Sequence, residues 1–155
     1  GVPDPVFFLG YWNNEAATSA KFRGPWLVTG DLGLKGRDGW LRFVGRDDDV
    51  ITSSGYRIGP GEIEDCLIRH PAVRMAGVVG KPDPERTEIV MAFIVLEAGH
   101  EASPILAREI QDHVKLKLAA HEYPRDIRFV EELPMTTTGK IVRRALRDLL
   151  SASKG

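Results

Sequence analysis

The sequence is poor in cysteine: Cys66 stands alone among 155 residues. No intrachain disulfide can therefore staple the fold, and a reducing, cytoplasmic setting is expected. No apolar run approaches the ~20 residues needed to span a bilayer. Charge of either sign is not in excess, since 21 basic against 22 acidic residues leave a net −1. That balance gives neither nucleic acid nor an anionic membrane a reason to bind. The four histidines show no metal-ligand spacing, so no protein-held metal is expected. Internal repeats and low-complexity tracts are also missing, which excludes solenoid architectures. An initiator Met is missing too, and the opening Gly1-Val2-Pro3-Asp4-Pro5 reads as a cut edge inside a loop, silent on targeting. What remains, 43% apolar and 28% charged, is the composition of a globular protein. This length holds one ordinary domain plus a smaller appendage.

Two regions differ in character. Residues 1–45 are rich in glycine and hold all three tryptophans, Trp12, Trp26 and Trp40. Short strand-like runs, Trp26-Leu27-Val28 and Trp40 to Val44, are punctuated by turn signals such as Gly36-Arg37-Asp38-Gly39. So few apolar positions predict the β-rich tail of a larger, missing domain. Residues 46–155 carry the pattern of an independent α+β unit: small antiparallel sheets packed with about three helices. Two short strands, Val50 to Ser53 and Tyr56 to Ile58, flank a glycine turn. Pro60 opens a helix with Ile63, Cys66 and Leu67 on one face, stopped by His70-Pro71. Val73 to Val79 and Glu88 to Leu96 predict an antiparallel pair joined through Lys81 to Arg86. Ser103-Pro104 starts a helix whose Leu106, Ile110, Val114 and Leu118 form one stripe, with Tyr123-Pro124 as its end. Ile127 to Val130 is a further strand, and Ile141 to Leu150 a closing, arginine-rich amphipathic helix.

Three clusters suggest chemistry: Thr29-Gly30-Asp31, Gly45-Arg46-Asp47-Asp48-Asp49, and Pro134 to Lys140. Each has an ordinary explanation when taken singly. Thr-Gly-Asp is a common turn, and consecutive aspartates are commonly a solvated loop. The Gly139-Lys140 pair lacks the earlier glycine of a phosphate-binding P-loop, and Ile141 replaces its Mg²⁺-binding hydroxyl residue. Cys66 lies on an apolar helix face and reads as a buried structural thiol rather than a nucleophile.

Order and context decide what single motifs do not. Trp26 to Asp31, then Gly45-Arg46-x-Asp48-Asp49, then Ser53 to Pro60 with Glu62-Ile63-Glu64, and finally Pro134 to Lys140, resemble the last signature motifs of adenylate-forming (AMP-binding) enzymes. The flanks agree: Gly10 to Asn14, His70 to Val73, Pro82-Asp83-Pro84-x-Arg86 and Tyr123-Pro124-Arg125. The resemblance spans the chain and is greatest to the medium-chain acyl-CoA synthetase branch.

The resemblance implies the C-terminal portion of an acid–thiol ligase. Such enzymes activate a carboxylic acid, here by resemblance a fatty acid, as acyl-AMP with ATP and then pass it to CoA. Between the two steps the C-terminal domain, residues 46–155, rotates about a hinge at Asp48. Asp31, an acceptor-only carboxylate, is implied to take the ribose hydroxyls. Arg46 is implied at the nucleotide's ribose or phosphates, its ordinary alternative being an ion pair with the neighbouring aspartates, and Arg57 at phosphate. Ser54, Gly55 and Tyr56 match the passage for the pantetheine arm, and Arg86 a CoA phosphate contact. Lys140 is implied as the catalytic cation that bridges carboxylate and α-phosphate, on a threonine-glycine run that suits a mobile loop. Asp47 departs from the small or apolar residue common in relatives. Mg²⁺ is expected to arrive with ATP, without a ligand from this chain. The phosphate loop and acyl pocket are implied upstream of Gly1, so the isolated chain is expected to be inactive. Two other readings stay open: an adenylation domain that loads a carrier protein, and a non-catalytic interaction module on the same fold. Joint presence of Asp31, Arg46 and Lys140 argues against the latter.

Overall fold

The computed structural model describes residues 8–151. The Gly1-Val2-Pro3-Asp4-Pro5 opening and the Lys154-Gly155 end lie outside them. Contacts group the chain into two compact units, one up to Asp31 and one from Leu32 onward. The boundary expected at residue 46 from the sequence pattern falls inside the second of these units.

In the first unit, α1 (Glu15–Ser19) is capped by Asn14, whose side chain accepts a hydrogen bond from the Ala17 amide at 3.0 Å. β1 (Phe22–Arg23) and β2 (Trp26–Leu27) pair antiparallel.

In the second unit, β3 (Asp31–Lys35), which begins at the boundary, pairs with β4 (Leu41–Arg46). The expected Gly36–Gly39 turn joins them, and the Gly36 amide donates to the Trp40 carbonyl at 2.8 Å. β5 (Ile51–Ser53) and β6 (Tyr56–Ile58) form the next hairpin. Its two turn residues, Ser54 at φ 48° and Gly55 at φ 83°, both lie in the left-handed region. That is the type I′ geometry whose twist matches a two-residue hairpin, and glycine meets it without strain. Then come α2 (Pro60–Leu67), β7 (Val73–Asp83), β8 (Thr87–Leu96), α3 (Pro104–Lys117), β9 (Asp126–Phe129) and α4 (Arg143–Ser151).

The main sheet runs β6-β5-β8-β7, with β9 also on β8. Along β8, Val90, Ala92 and Ile94 join one core cluster with Ile63 and Leu67 of α2 and Ile110 and Val114 of α3. The alternate residues Met91, Phe93 and Val95 join a second cluster with Leu133 and Leu146 of α4. The two-residue period sends successive side chains to opposite faces, and both faces are covered. This is why β8 is apolar without alternation.

The small antiparallel sheets are as expected, with one parallel strand added, and two element bounds need correction. β9 is parallel to β8, pairing Met91 with Asp126 and Ile94 with Phe129, so the sheet is not wholly antiparallel. A parallel neighbour requires a long crossover, and α3 supplies it. Helix α3 stops at Lys117, ahead of Tyr123-Pro124, because Leu118 is already extended at φ −119°, ψ 176°. Strands β7 and β8 reach further toward each other than expected, pairing as far as Asp83 with Thr87. Ser103, by contrast, caps α3 as expected, accepting from the Leu106 amide at 3.1 Å. Among the described residues no helix is long and apolar enough to cross a membrane.

Behind α2, the His70 ring nitrogen Nδ1 accepts from the Ala72 amide at 3.2 Å, and the ring meets His113 edge-on with centroids 5.1 Å apart. Burial pushes the His70 pKa down, helped by His113 and His100 and opposed by Glu109. A histidine held less protonated in the folded state than in the unfolded chain contributes stability above its ordinary pKa of 6.5, and that contribution is lost as pH falls. The melting temperature should therefore drop between about pH 7 and pH 5. His70→Asn keeps an acceptor for the Ala72 amide without a titrating proton, so the drop should shrink. Superimposable melting-temperature profiles for the two proteins would remove His70 as its source.

Candidate functional site

Lys140 sits on a closed hairpin. Met135 bridges Ile141, and the Val142 amide donates to the Pro134 carbonyl at 2.8 Å. Inside the turn, the Thr136 amide donates to the Lys140 carbonyl at 2.8 Å and the Gly139 amide to the Thr136 carbonyl at 3.0 Å. The Thr136 hydroxyl accepts from the Lys140 amide at 3.1 Å and lies 2.9 Å from the Thr138 hydroxyl. The threonines that suggest a mobile loop thus tie the turn together around Thr136. The Lys140 side chain is exposed at its end. An ammonium so presented has a backbone fixed by local hydrogen bonds and a stem free to reach.

The Arg46–Asp49 segment leaves β4 through a turn in which the Asp49 and Val50 amides both donate to the Arg46 carbonyl at 3.1 Å. Arg46 Nε lies 3.5 Å from Asp48 Oδ1, an exposed ion pair worth little by itself. The ordinary alternative for Arg46 is thus present. Asp49 faces inward instead. Its carboxylate takes Arg143 Nη1 at 3.2 Å and Arg147 Nη2 at 3.3 Å. Arg143 Nη2 also donates to Glu64 of α2, whose second oxygen accepts from the Val78 amide at 2.8 Å. Burial pushes the Glu64 pKa up, against the pull of the Val78 amide and Arg143.

The residues expected at CoA do come together. The Ser54 amide donates to the Arg86 carbonyl at 3.0 Å, and Arg86 Nη1 donates to the Ser54 hydroxyl at the same distance. Tyr56 stacks on His121 with centroids 4.0 Å apart, and both line a cavity of about 200 Å³ with Ser54, Arg86 and Arg125. A Cβ placed on Gly55 meets nothing within 4 Å, so the turn's outer side is open. Arg57 follows Tyr56 on β6 and faces elsewhere. It lines a separate cavity of about 420 Å³ with Arg42, Phe43, Glu62 and Asp65. Asp31, in the first unit, is exposed, and its amide donates to the Thr29 hydroxyl at 3.2 Å.

Cys66 is buried, and burial pushes its thiol pKa up, which suits an inert core thiol. Among the described residues no group of three or more His, Cys, Asp or Glu is placed to hold a metal ion. Sequence reasoning passed over His121 beside Tyr56, gave Arg125 no role although it matched the Tyr123-Pro124-Arg125 flank, and missed the Arg143 link between Asp49 and Glu64. For the first pair, the aromatic and basic residues flanking Tyr123-Pro124 were a usable signal. For the second, the local sequence held none.

Comparison with known proteins places these features in a family. The AMP-binding enzyme C-terminal domain family matches residues 62–140, ending on Lys140. The mitochondrial acyl-coenzyme A synthetase ACSM4 of Rattus norvegicus is 54% identical over 144 residues, covering 92% of this chain and 25% of its own. Human mitochondrial ACSM2B is 49% identical, covering 91% of this chain and 25% of its own. Among solved structures, the anthranilate CoA ligase AuaEII in complex with anthranoyl-AMP superposes with a TM-score of 0.81 at 43% identity, covering 94% of this chain and 28% of its own. The Brucella canis acyl-CoA synthetase gives 0.68 at 50% identity, covering 96% and 27%. This chain spans about a quarter of the length of these curated relatives. It belongs to the AMP-binding enzyme C-terminal domain family.

Proposed function

We propose that the protein carrying this chain is an ATP-dependent acyl-CoA synthetase. A carboxylate oxygen attacks the α-phosphorus of ATP and pyrophosphate leaves, giving acyl-AMP. The CoA thiol then attacks the acyl carbon and AMP leaves, giving the thioester. The observation that carries this reading is Lys140: an exposed ammonium on a hairpin closed by its own hydrogen bonds. A point charge so held can meet the α-phosphate as negative charge moves from the attacking carboxylate to pyrophosphate. The identity to acyl-coenzyme A synthetases over 92% of the chain supports it.

The remaining roles follow the chemistry of each side chain. Asp31 accepts from the ribose hydroxyls, while Arg46 and Arg57 meet ribose or phosphate oxygens. The pantetheine arm passes the open face of Gly55 between Ser54 and Tyr56, and Arg86 meets a CoA phosphate. Mg²⁺ travels with the phosphates of ATP, and no residue here is assigned to it. The acid is a fatty acid of medium chain length, by resemblance. As to compartment, the relatives' mitochondrial names and a buried, unpaired thiol suit a reducing interior, mitochondrial or cytoplasmic.

Between the steps, residues 46–155 rotate about Asp48. Asp47 and Asp48 are the central residues of the Arg46–Asp49 turn. Proline at 48 fixes its own φ near −65° and pushes Asp47 out of the α region, biasing the hinge to fewer states. In the full-length protein, acid-dependent pyrophosphate release and thioester formation from supplied acyl-AMP are measured separately. The wild type should do both, and Asp48→Pro should lose at least about tenfold more of the second than of the first. No acid-dependent pyrophosphate release by the wild type would refute the synthetase. Equal losses in Asp48→Pro would refute the hinge alone.

A further inference from the structure

We propose that Arg143 is a positioning residue that ties the Lys140 hairpin to the segment leaving the hinge, so that Lys140 moves with the hinge as one lever. The inference rests on the reading of Lys140 and Asp48 given above. Asp49 follows Asp48 directly, and Arg143 lies three positions beyond Lys140. One guanidinium bridges them: Nη1 meets Asp49 while Nη2 meets Glu64 of α2. Arg147, one helical turn further along α4, holds the other Asp49 oxygen at 3.3 Å. Glu64 in turn is pinned to β7 through the Val78 amide. Three elements distant in sequence, the segment after the hinge, α2 and α4, are thereby fixed at one point.

Burial separates this cluster from an ordinary surface ion pair. The Asp49, Glu64 and Arg143 side chains are 15%, 14% and 20% exposed, against 72% for Asp48. Charges that shielded interact over short range with little screening, and removing one leaves its partners uncompensated. Stability alone is a poor reason for the arrangement, because Arg143 Nε is buried without a partner. A packed apolar side chain would hold α4 to the sheet without that orphan donor. The forked cation contributes a fixed direction: two carboxylates on different elements must keep one geometry for both to be met. An error of about 1 Å at the start of α4 passes directly to Lys140 through the bridged hairpin, and such misplacement can cost on the order of 10² in rate.

The test is a double-mutant cycle in the full-length enzyme, using Arg143→Met, Lys140→Ala and the pair. Single-turnover adenylation is read from acid-dependent pyrophosphate release, with thioester formation from supplied acyl-AMP and melting temperature followed alongside. Arg143→Met should slow adenylation by roughly 10- to 10²-fold when Lys140 is present. With Lys140 already replaced, it should slow adenylation by less than about twofold further, since a positioning residue has nothing left to position. The same fold loss in both backgrounds, or no loss at all, would overturn the inference. Should Arg143→Met fail to fold, Asp49→Asn, which removes one charge at constant size, takes its place in the cycle with the same expectations. Undiminished adenylation by Lys140→Ala alone is a different failure: it would sink the assignment of Lys140 on which the inference rests.

Discussion

Lys140→Ala in the full-length protein should lose about 10²–10⁴ in the rate of adenylate formation, or roughly 3–5 kcal/mol of transition-state stabilisation. Thioester formation from supplied acyl-AMP should be nearly spared, because the proposed rotation about Asp48 would carry the ammonium away before CoA attacks. The asymmetry is diagnostic, since a general loss of folding would lower both rates. The geometry predicts that folding survives. The Lys140 side chain is exposed, and its two hairpin hydrogen bonds use the backbone amide and carbonyl, which alanine retains. Melting temperature should therefore move by no more than an ordinary surface substitution allows, about 0.5 kcal/mol in stability. Lys140→Arg makes a useful companion: charge is kept, but a planar fork replaces a compact ammonium, and only partial recovery is expected. Unchanged adenylation in Lys140→Ala would reduce Lys140 to a solvated turn residue, and a large fall in melting temperature would make its role structural.

The fold was legible in the sequence wherever local rules act. Ser54-Gly55 announced a two-residue turn because few residue pairs accept left-handed geometry at both positions. Ser103-Pro104 announced the start of α3 because a hydroxyl cap and a first-turn proline satisfy the same helix end. The direction of β9 was not legible. Asp126 to Phe129 is too short to show whether its partner runs with it or against it, and only the path of α3 over the sheet decides. The end of α3 was misplaced for a related reason. The apolar stripe continues to Leu118, but the backbone there is already extended, and Glu122 returns to the Ala119 amide at 2.9 Å.

The candidate site divides along the same line. Lys140, Asp48 and the Ser54–Tyr56 turn lie in contiguous motifs, so sequence order exposes them. Arg86 could be placed beside Ser54 only through the motif context, since 32 positions separate them. The Arg143 bridge spans 94 positions to Asp49 and 79 to Glu64. No periodicity relates residues so distant, and an arginine-rich helix reads as a solvated face until the partners that bury it are known.

The packing beneath that bridge sets the second large expectation. Leu146 is the fully buried residue of α4, and it rests on Gly77 of β7. A Cβ at Gly77 would come within 2.8 Å of Leu146 Cδ1 and 3.4 Å of Ile141 Cγ2. Leu146→Ala should cost about 2–5 kcal/mol, because the sheet beneath cannot collapse into the space left behind. Gly77→Ala should cost about 1–3 kcal/mol by driving the leucine out of its position. The two together should cost less than their sum by about 1 kcal/mol or more, since the new methyl occupies volume that the shortened side chain vacates. Urea melts of the wild type, both single variants and the pair give the coupling directly. Additivity within about 0.5 kcal/mol would mean that the two residues share no contact that matters to stability. Coupling of the expected sign would show that α4 docks on β7 through this contact, beside the Arg143 and Arg147 ion pairs. The Gly77→Ala variant would then also slow adenylation by displacing the helix that carries Arg143, although it adds only a methyl group and touches neither Arg143 nor Lys140.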